Sequence, residues 1–141
     1  MFLTFFYARR EKIYDFFTKW CRQHKDYTAL FLNGCENNLY KTLDEIWKET
    51  DVELPLKSCT LIVIYYGHFE TLKWLYENTD YVKSNLDLCL KIACERAKPE
   101  IVEFLLEKGA NPVVGLRHAT TGNIMGILNR FENKKENKGS F

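Results

Sequence analysis

The chain has 141 residues, 46% of them hydrophobic and 28% charged, which is the composition of one folded domain rather than a disordered polypeptide. Twenty basic residues stand against nineteen acidic ones, so the net charge of +1 gives no support to nucleic acid or an anionic membrane as partner. The apolar run CTLIVIYYG is nine residues long, far short of the roughly 20 that a membrane helix needs.

The chain opens MFLTFFYARR, a short apolar run with its charge behind it. A signal peptide has the reverse order, so an intracellular protein is expected. The first amphipathic helix is expected over residues 9–23, with Ile13, Phe16, Phe17, Trp20 and Cys21 on one face. DYTALFLNGCENN then reads as a short helix stopped by Asn33-Gly34. LYKTLDEIWKETD places Leu39, Leu43, Ile46 and Trp47 on one face, and the pattern breaks at Pro55.

Leu61 to Tyr66 alone reads equally well as a buried strand or a buried helix. Beyond Gly67 the spacing of Leu72, Leu75 and Tyr76 is helical. NLDLCLKIACERAKPEIVEFLLEKGANP repeats this plan with clearer punctuation. Leu90, Ile92, Ala93 and Cys94 belong to a first helix, and AKPE is the break. Pro99 suits the first turn of the next helix, where a missing N–H costs nothing, and Glu100 favours its positive end. Ile101, Val102, Phe104, Leu105 and Leu106 form the apolar stripe, Gly109 is the expected left-handed residue after it, and Pro112 blocks continuation. LRHATTGNIMGILNRF is a weaker helix, because Gly115, Gly122 and Gly126 cost helical stability. ENKKENKGSF has little to bury, so the chain divides into a single domain over 1–131 and a flexible polar tail over 132–141.

At an offset of 30, Gly67 falls on Ala97, Leu72 on Val102, Trp74 on Phe104 and Leu75 on Leu105. At an offset of about 29, Leu43 falls on Leu72, Ile46 on Leu75 and Trp47 on Tyr76. HATTGNIMGILNRF is a last copy with shortened spacing. A helix pair with one apolar stripe cannot bury itself, whereas stacked copies share a continuous core. The expected fold is therefore all-α, a short solenoid of helix-turn-helix repeats with an N-terminal helical cap.

GHFETLKWLYEN and PEIVEFLLEKGANP resemble the second-helix signature of ankyrin repeats, roughly G-H-x-E-I-V-x-L-L-L-E-x-G-A-D/N. The first copy departs from it at Thr79-Asp80, and the T-P-L-H opening is missing throughout. The period is nearer 30 than 33, so the β-turn finger between repeats is expected to be shortened or absent. The motifs cover about residues 58–112. Diverged repeats of this style, rich in Tyr, Asn, Lys and Phe, resemble the multigene-family proteins of African swine fever virus, and the short length is most similar to its small multigene family 100 type. That resemblance implies a viral accessory protein in the host cytoplasm. It would bind host proteins and act on innate immune (interferon) signalling or host range.

The sequence carries none of the motifs G-x-S-x-G, H-E-x-x-H or a glycine-rich phosphate loop, so no enzyme, cofactor or metal site is expected. Cys21, Cys35, Cys59, Cys89 and Cys94 are odd in number and lack CxxC spacing, and they read as buried small hydrophobes in a reducing compartment. A Cys59–His68 pair is the one candidate nucleophile and base, and it lacks an orienting third residue. Asp44, Glu45 and Glu49 read as a solvated face. Trp20, Trp47 and Trp74 recur every 27 residues and read as core.

What remains is surface. In such a stack the positions around each helix–turn break face partners, which here selects Tyr65, Tyr66, His68, Glu95, Arg96 and Lys98. Tyr and Arg are residue types that anchor interfaces. A second reading is a structural or assembly role, with the aromatic first 20 residues forming a homodimer. A third is a thiol enzyme built on Cys59 or Cys94.

Overall fold

The structure, a computed structural model, describes residues 15–139, with side chains described through Glu136. Ten helices follow in chain order among these residues. They are α1 (15–23), α2 (Tyr27–Glu36), α3 (Tyr40–Glu49), α4 (Leu56–Tyr66), α5 (Phe69–Asn78), α6 (Tyr81–Ser84), α7 (Leu86–Glu95), α8 (Pro99–Glu107), α9 (Pro112–Leu116) and α10 (Gly122–Gly139). No strand occurs among the described residues, so Leu61 to Tyr66 resolves as helix.

The helices work in pairs: α2 packs on α3, α4 on α5, α7 on α8 and α9 on α10. The first helices of successive pairs stack directly, α2 on α4, α4 on α7 and α7 on α9. The reason is written in their buried positions. α2 buries Leu30, Phe31, Gly34 and Cys35, α4 buries Cys59, Thr60, Val63 and Ile64, and α7 buries Cys89, Leu90, Ala93 and Cys94. The same i, i+1, i+4, i+5 pattern thus recurs at offsets of 29 and 30. In the second helices Leu43 and Ile46, Leu72 and Leu75, and Val102 and Leu105 recur at the same offsets, all fully buried. Each fully buried leucine, isoleucine or valine contributes about 1.5–3 kcal/mol.

The turns repeat as closely as the core does. Asn38, Gly67 and Ala97 hold φ of +58°, +73° and +51°, the left-handed region that ends a helix. In the second and third pairs the backbone closes identically. The amide of Gly67 bonds to Ile64 O and that of His68 to Val63 O, while the amide of Ala97 bonds to Cys94 O and that of Lys98 to Ala93 O, all at 2.9–3.1 Å. Glycine accepts this conformation freely, whereas the Cβ of Ala97 is strained by it. Pro99 and Pro112 each stand in the first turn of a helix, so Pro112 starts α9 as well as preventing α8 from continuing.

Between pairs there is no β finger among the described residues. The links are residues 50–55, a segment carrying α6, and residues 108–111. The last pair is short, because α9 has only five residues where α4 has eleven. Ile124 and Ile127 of α10 nevertheless keep the i, i+3 spacing of the second helices.

Three expectations need correction. Asn33-Gly34 does not end α2, which runs to Glu36. A Cβ at position 34 would stand 2.7 Å from Leu43 Cδ2, so the glycine admits α3 to close packing. Trp20 and Trp47 are not core: they are 43% and 38% exposed, and only Trp74 is buried. In α1, Cys21 is buried but Phe16 is 72% exposed, so the face expected to be covered is largely open; Ile13 lies outside the described residues. α1 is held by Cys21 and Phe17, which pack on the core, and by its polar side, where Arg22 reaches both carboxylate oxygens of Glu49 at 2.7 and 2.9 Å and Glu45 at 3.3 Å. At the other terminus α10 continues through Gly139, past residue 132 where a flexible tail is expected, although Asn133, Asn137 and Gly139 are poor helix formers.

Candidate partner-binding face

The apolar stripe of each first helix ends at Ile64 in α4 and Cys94 in α7, both fully buried. The next two side chains, Tyr65-Tyr66 and Glu95-Arg96, are therefore turned off the core just before the chain reverses. Both tyrosines are about half exposed, at 48% and 50%.

These residues form a connected row. The rings of Tyr65 and Tyr66 meet edge to face at 5.1 Å. The Arg96 guanidinium lies 4.3 Å from the centre of the Tyr65 ring, across the gap between two repeats. Tyr66 stacks on His68 at 5.7 Å. The Lys98 stem lies over Gly67, so close that a Cβ there would be 3.1 Å from Lys98 Cδ. Glu95 Oε1 stands 3.2 Å from His118 Nδ1, which carries the row to the end of α9. Tyr65, Tyr66, His68 and Arg96 are thus linked ring to ring, Lys98 lies over the Gly67 turn, and Glu95 is joined to His118 rather than to the other five.

His68 has a structural task in this row. Its Nε2 stands 2.8 Å from the backbone carbonyl of Glu36, which accepts the bond. That carbonyl belongs to the last residue of α2, where no intrahelical amide is left to meet it. The ring is therefore engaged by the neighbouring repeat and does not meet Cys59, which lies fully buried on the inner face of α4. A second link between the same repeats runs from Thr71 Oγ1, which donates to Asn38 Oδ1 at 2.7 Å.

All five cysteines are buried free thiols. Hydrogen bonding to Cys59 and then burial push the Cys35 thiol well above its ordinary range. Burial pushes Cys89 and Cys94 up to about 11, with Glu95 adding to the effect at Cys94. Among the described residues no three His, Cys, Asp or Glu side chains come together to hold a metal. The carboxylates of α3 are engaged: Asp44 with Lys48 at 2.7 Å, and Glu45 and Glu49 with Arg22. Asp44 also accepts from Trp74 Nε1 at 3.3 Å, and the Lys48 and Trp74 hydrogen bonds hold its carboxyl below the ordinary value.

Residues 85–115 match the ankyrin repeat family model. The match spans α7, α8 and most of α9, including the Ala97 turn and Gly109. The helix pairs on the amino-terminal side share its buried pattern and its left-handed turn. Comparison with curated proteins and with solved structures gives no match. Ankyrin repeats generally mediate protein–protein interaction, and they typically serve as binding modules rather than enzymes. No helix among the described residues is long and apolar enough to cross a membrane.

The sequence did not single out His118 or its neighbour Arg117. They follow α9 as Glu95-Arg96 end α7, but the shortened last repeat shifts them out of the regular offset. The Trp74–Asp44 hydrogen bond also went unseen, although both residues occupy aligned second helices.

Proposed function

We propose that this protein is a non-enzymatic interaction module that binds a protein partner through the row Tyr65, Tyr66, His68, Glu95, Arg96 and Lys98. The observation that carries the reading is the pair of half-exposed tyrosines with a guanidinium held over one of them. Large amphipathic rings fixed by their neighbours lose little entropy on binding, and Tyr and Arg dominate interface hot spots. The finer reading is a viral accessory protein in the host cytoplasm, acting on innate immune signalling or host range by occupying a host protein. Its support is the resemblance of the diverged repeats to the African swine fever virus multigene-family proteins.

The test is affinity capture from host-cell lysate with the intact chain and with a Tyr65→Ala, Tyr66→Ala, Arg96→Ala variant of unchanged helicity. A host protein retained by the first and lost by the second supports the reading. A partner retained equally by both removes the row from it.

A second reading, self-association, is favoured by the exposure of Phe16 and Trp20 on α1. A mass that rises with concentration, and falls back in a Phe16→Ser, Trp20→Ser variant, would establish it.

A further inference from the structure

Asn33-Gly34 is the one Asn-Gly pair in the chain, and it lies inside a helix rather than in a turn. Its peptide unit is clamped. The carbonyl of Asn33 accepts two bonds, from the Asn37 amide at 3.1 Å and from Asn37 Nδ2 at 2.8 Å. The carbonyl of Gly34 accepts one from the Leu39 amide at 2.9 Å. The Gly34 amide is itself committed to the carbonyl one turn back along α2. Gly34 is buried against Leu43, and Asn33 Oδ1 is buried with no hydrogen-bond partner among the described residues. The fold thus already bears an unmet acceptor at this point.

We propose that Asn33-Gly34 is a deamidation site gated by the opening of α2, and that the change, once made, keeps α2 from re-forming in place. The reaction needs only water. The Gly34 backbone nitrogen loses its proton and attacks Asn33 Cγ, and the new N–Cγ bond closes a five-membered imide. The Cγ–Nδ2 bond breaks, and the side-chain nitrogen leaves with the proton as ammonia. Water then opens the imide at either carbonyl, which gives aspartate or isoaspartate. Glycine presents no side chain to the ring, so among the asparagines of an open chain this pair closes first. In the helix the attack is blocked, because Asn33 must turn out of helical ψ and break the clamped bonds.

Both products are wrong for the fold. Aspartate sets a charge where the amide oxygen already has no donor, and a buried carboxylate without a partner is disfavoured far more than a neutral amide. Isoaspartate carries the chain through the former side chain and adds a backbone methylene. That moves Gly34 away from its fit against Leu43 and shifts Cys35 from its buried position. α2 also ends at Glu36, so its loss releases the His68 ring from its carbonyl partner.

The experiment incubates the full chain in mildly alkaline buffer, native and in urea, and follows position 33 by peptide mass and isoaspartate detection. Deamidation there is expected to be at least about tenfold faster in urea. In native buffer a His68→Ala variant, which frees the end of α2, is expected to raise the rate about fivefold. An Asn33→Asp variant made directly is expected to lose hydrogen-exchange protection in α2 while α8 keeps its own. The two rate comparisons need no change at Asn33, so they test the gate even where Asn33→Asp fails to fold. Equal rates in native and unfolded chains, another asparagine reacting first in urea, an unchanged rate in His68→Ala, or full protection of α2 in Asn33→Asp would overturn the proposal.

Discussion

His68 Nε2 donates to the carbonyl of Glu36 across 2.8 Å, joining the second helix pair to the end of the first. The two residues are 32 positions apart, so the bond holds one repeat on the next rather than closing its own turn. Replacing His68 by Ala leaves that carbonyl without its partner. A loss of about 1 kcal/mol is expected. Denaturant unfolding should show it, and hydrogen exchange should quicken in α2 more than in α8. A uniform change across the chain would place the effect elsewhere.

The two best-defined turns predict opposite signs for opposite swaps. Gly67→Ala places a Cβ at φ +73° and 3.1 Å from the Lys98 stem, and a loss of about 1–2 kcal/mol is expected. Ala97→Gly relieves strain at φ +51° and should gain about 0.5 kcal/mol after the added freedom of the unfolded chain is subtracted. Thermal midpoints of the two variants check both signs in one experiment.

The buried thiols set an alkaline limit. Cys89 and Cys94 titrate near 11 in the fold against an ordinary value of 9.0. The unfolded chain therefore releases these protons first as pH rises. Stability from these groups is complete below pH 9 and is lost progressively between about 9 and 11. Replacing both by Ala should flatten that decline. In the native protein at neutral pH a disulfide reagent should react slowly, and at full rate once the chain is unfolded.

Asp44 predicts a change at the acid end. Its carboxyl is held below the ordinary 3.8 by Lys48 and by Trp74, so the stabilisation is present above that value and fades as pH falls through the lowered one. Trp74 is buried and reports the event directly. Its emission should shift on acidification before the helices melt, and Asp44→Ala should remove the shift.

Much of this architecture was legible because a stacked fold writes itself more than once. Leu72 and Leu75 against Val102 and Leu105 gave the second-helix stripe, and Gly67 against Ala97 gave the turn. The same alignment placed all six candidate residues around the helix–turn breaks, and four of them, Tyr65, Tyr66, His68 and Arg96, touch through their rings and guanidinium. Other features depend on neighbours that no local pattern reveals. Gly34 reads as a breaker in isolation, and only the approach of Leu43 explains a glycine inside α2. Trp20 and Trp47 were assigned to the core by size and spacing, yet both lie near the start of the stack, and the packing there leaves each partly open. His118 was hidden because the last repeat abandons the regular offset.

The recurrence of one left-handed turn at Gly67 and Ala97 has a consequence for how such a chain can change in length. Excising residues 68–97 joins Gly67 directly to Lys98, and the polypeptide passes from α4 into α8 through a turn of unchanged hand. Ile64 then takes the place of Cys94 beside Gly115, and no later position shifts in phase. A cut that does not remove a whole repeat would rotate the following stripes away from their neighbours. The molecule is thus divisible in whole units only, like a ladder that can lose a rung but not half of one.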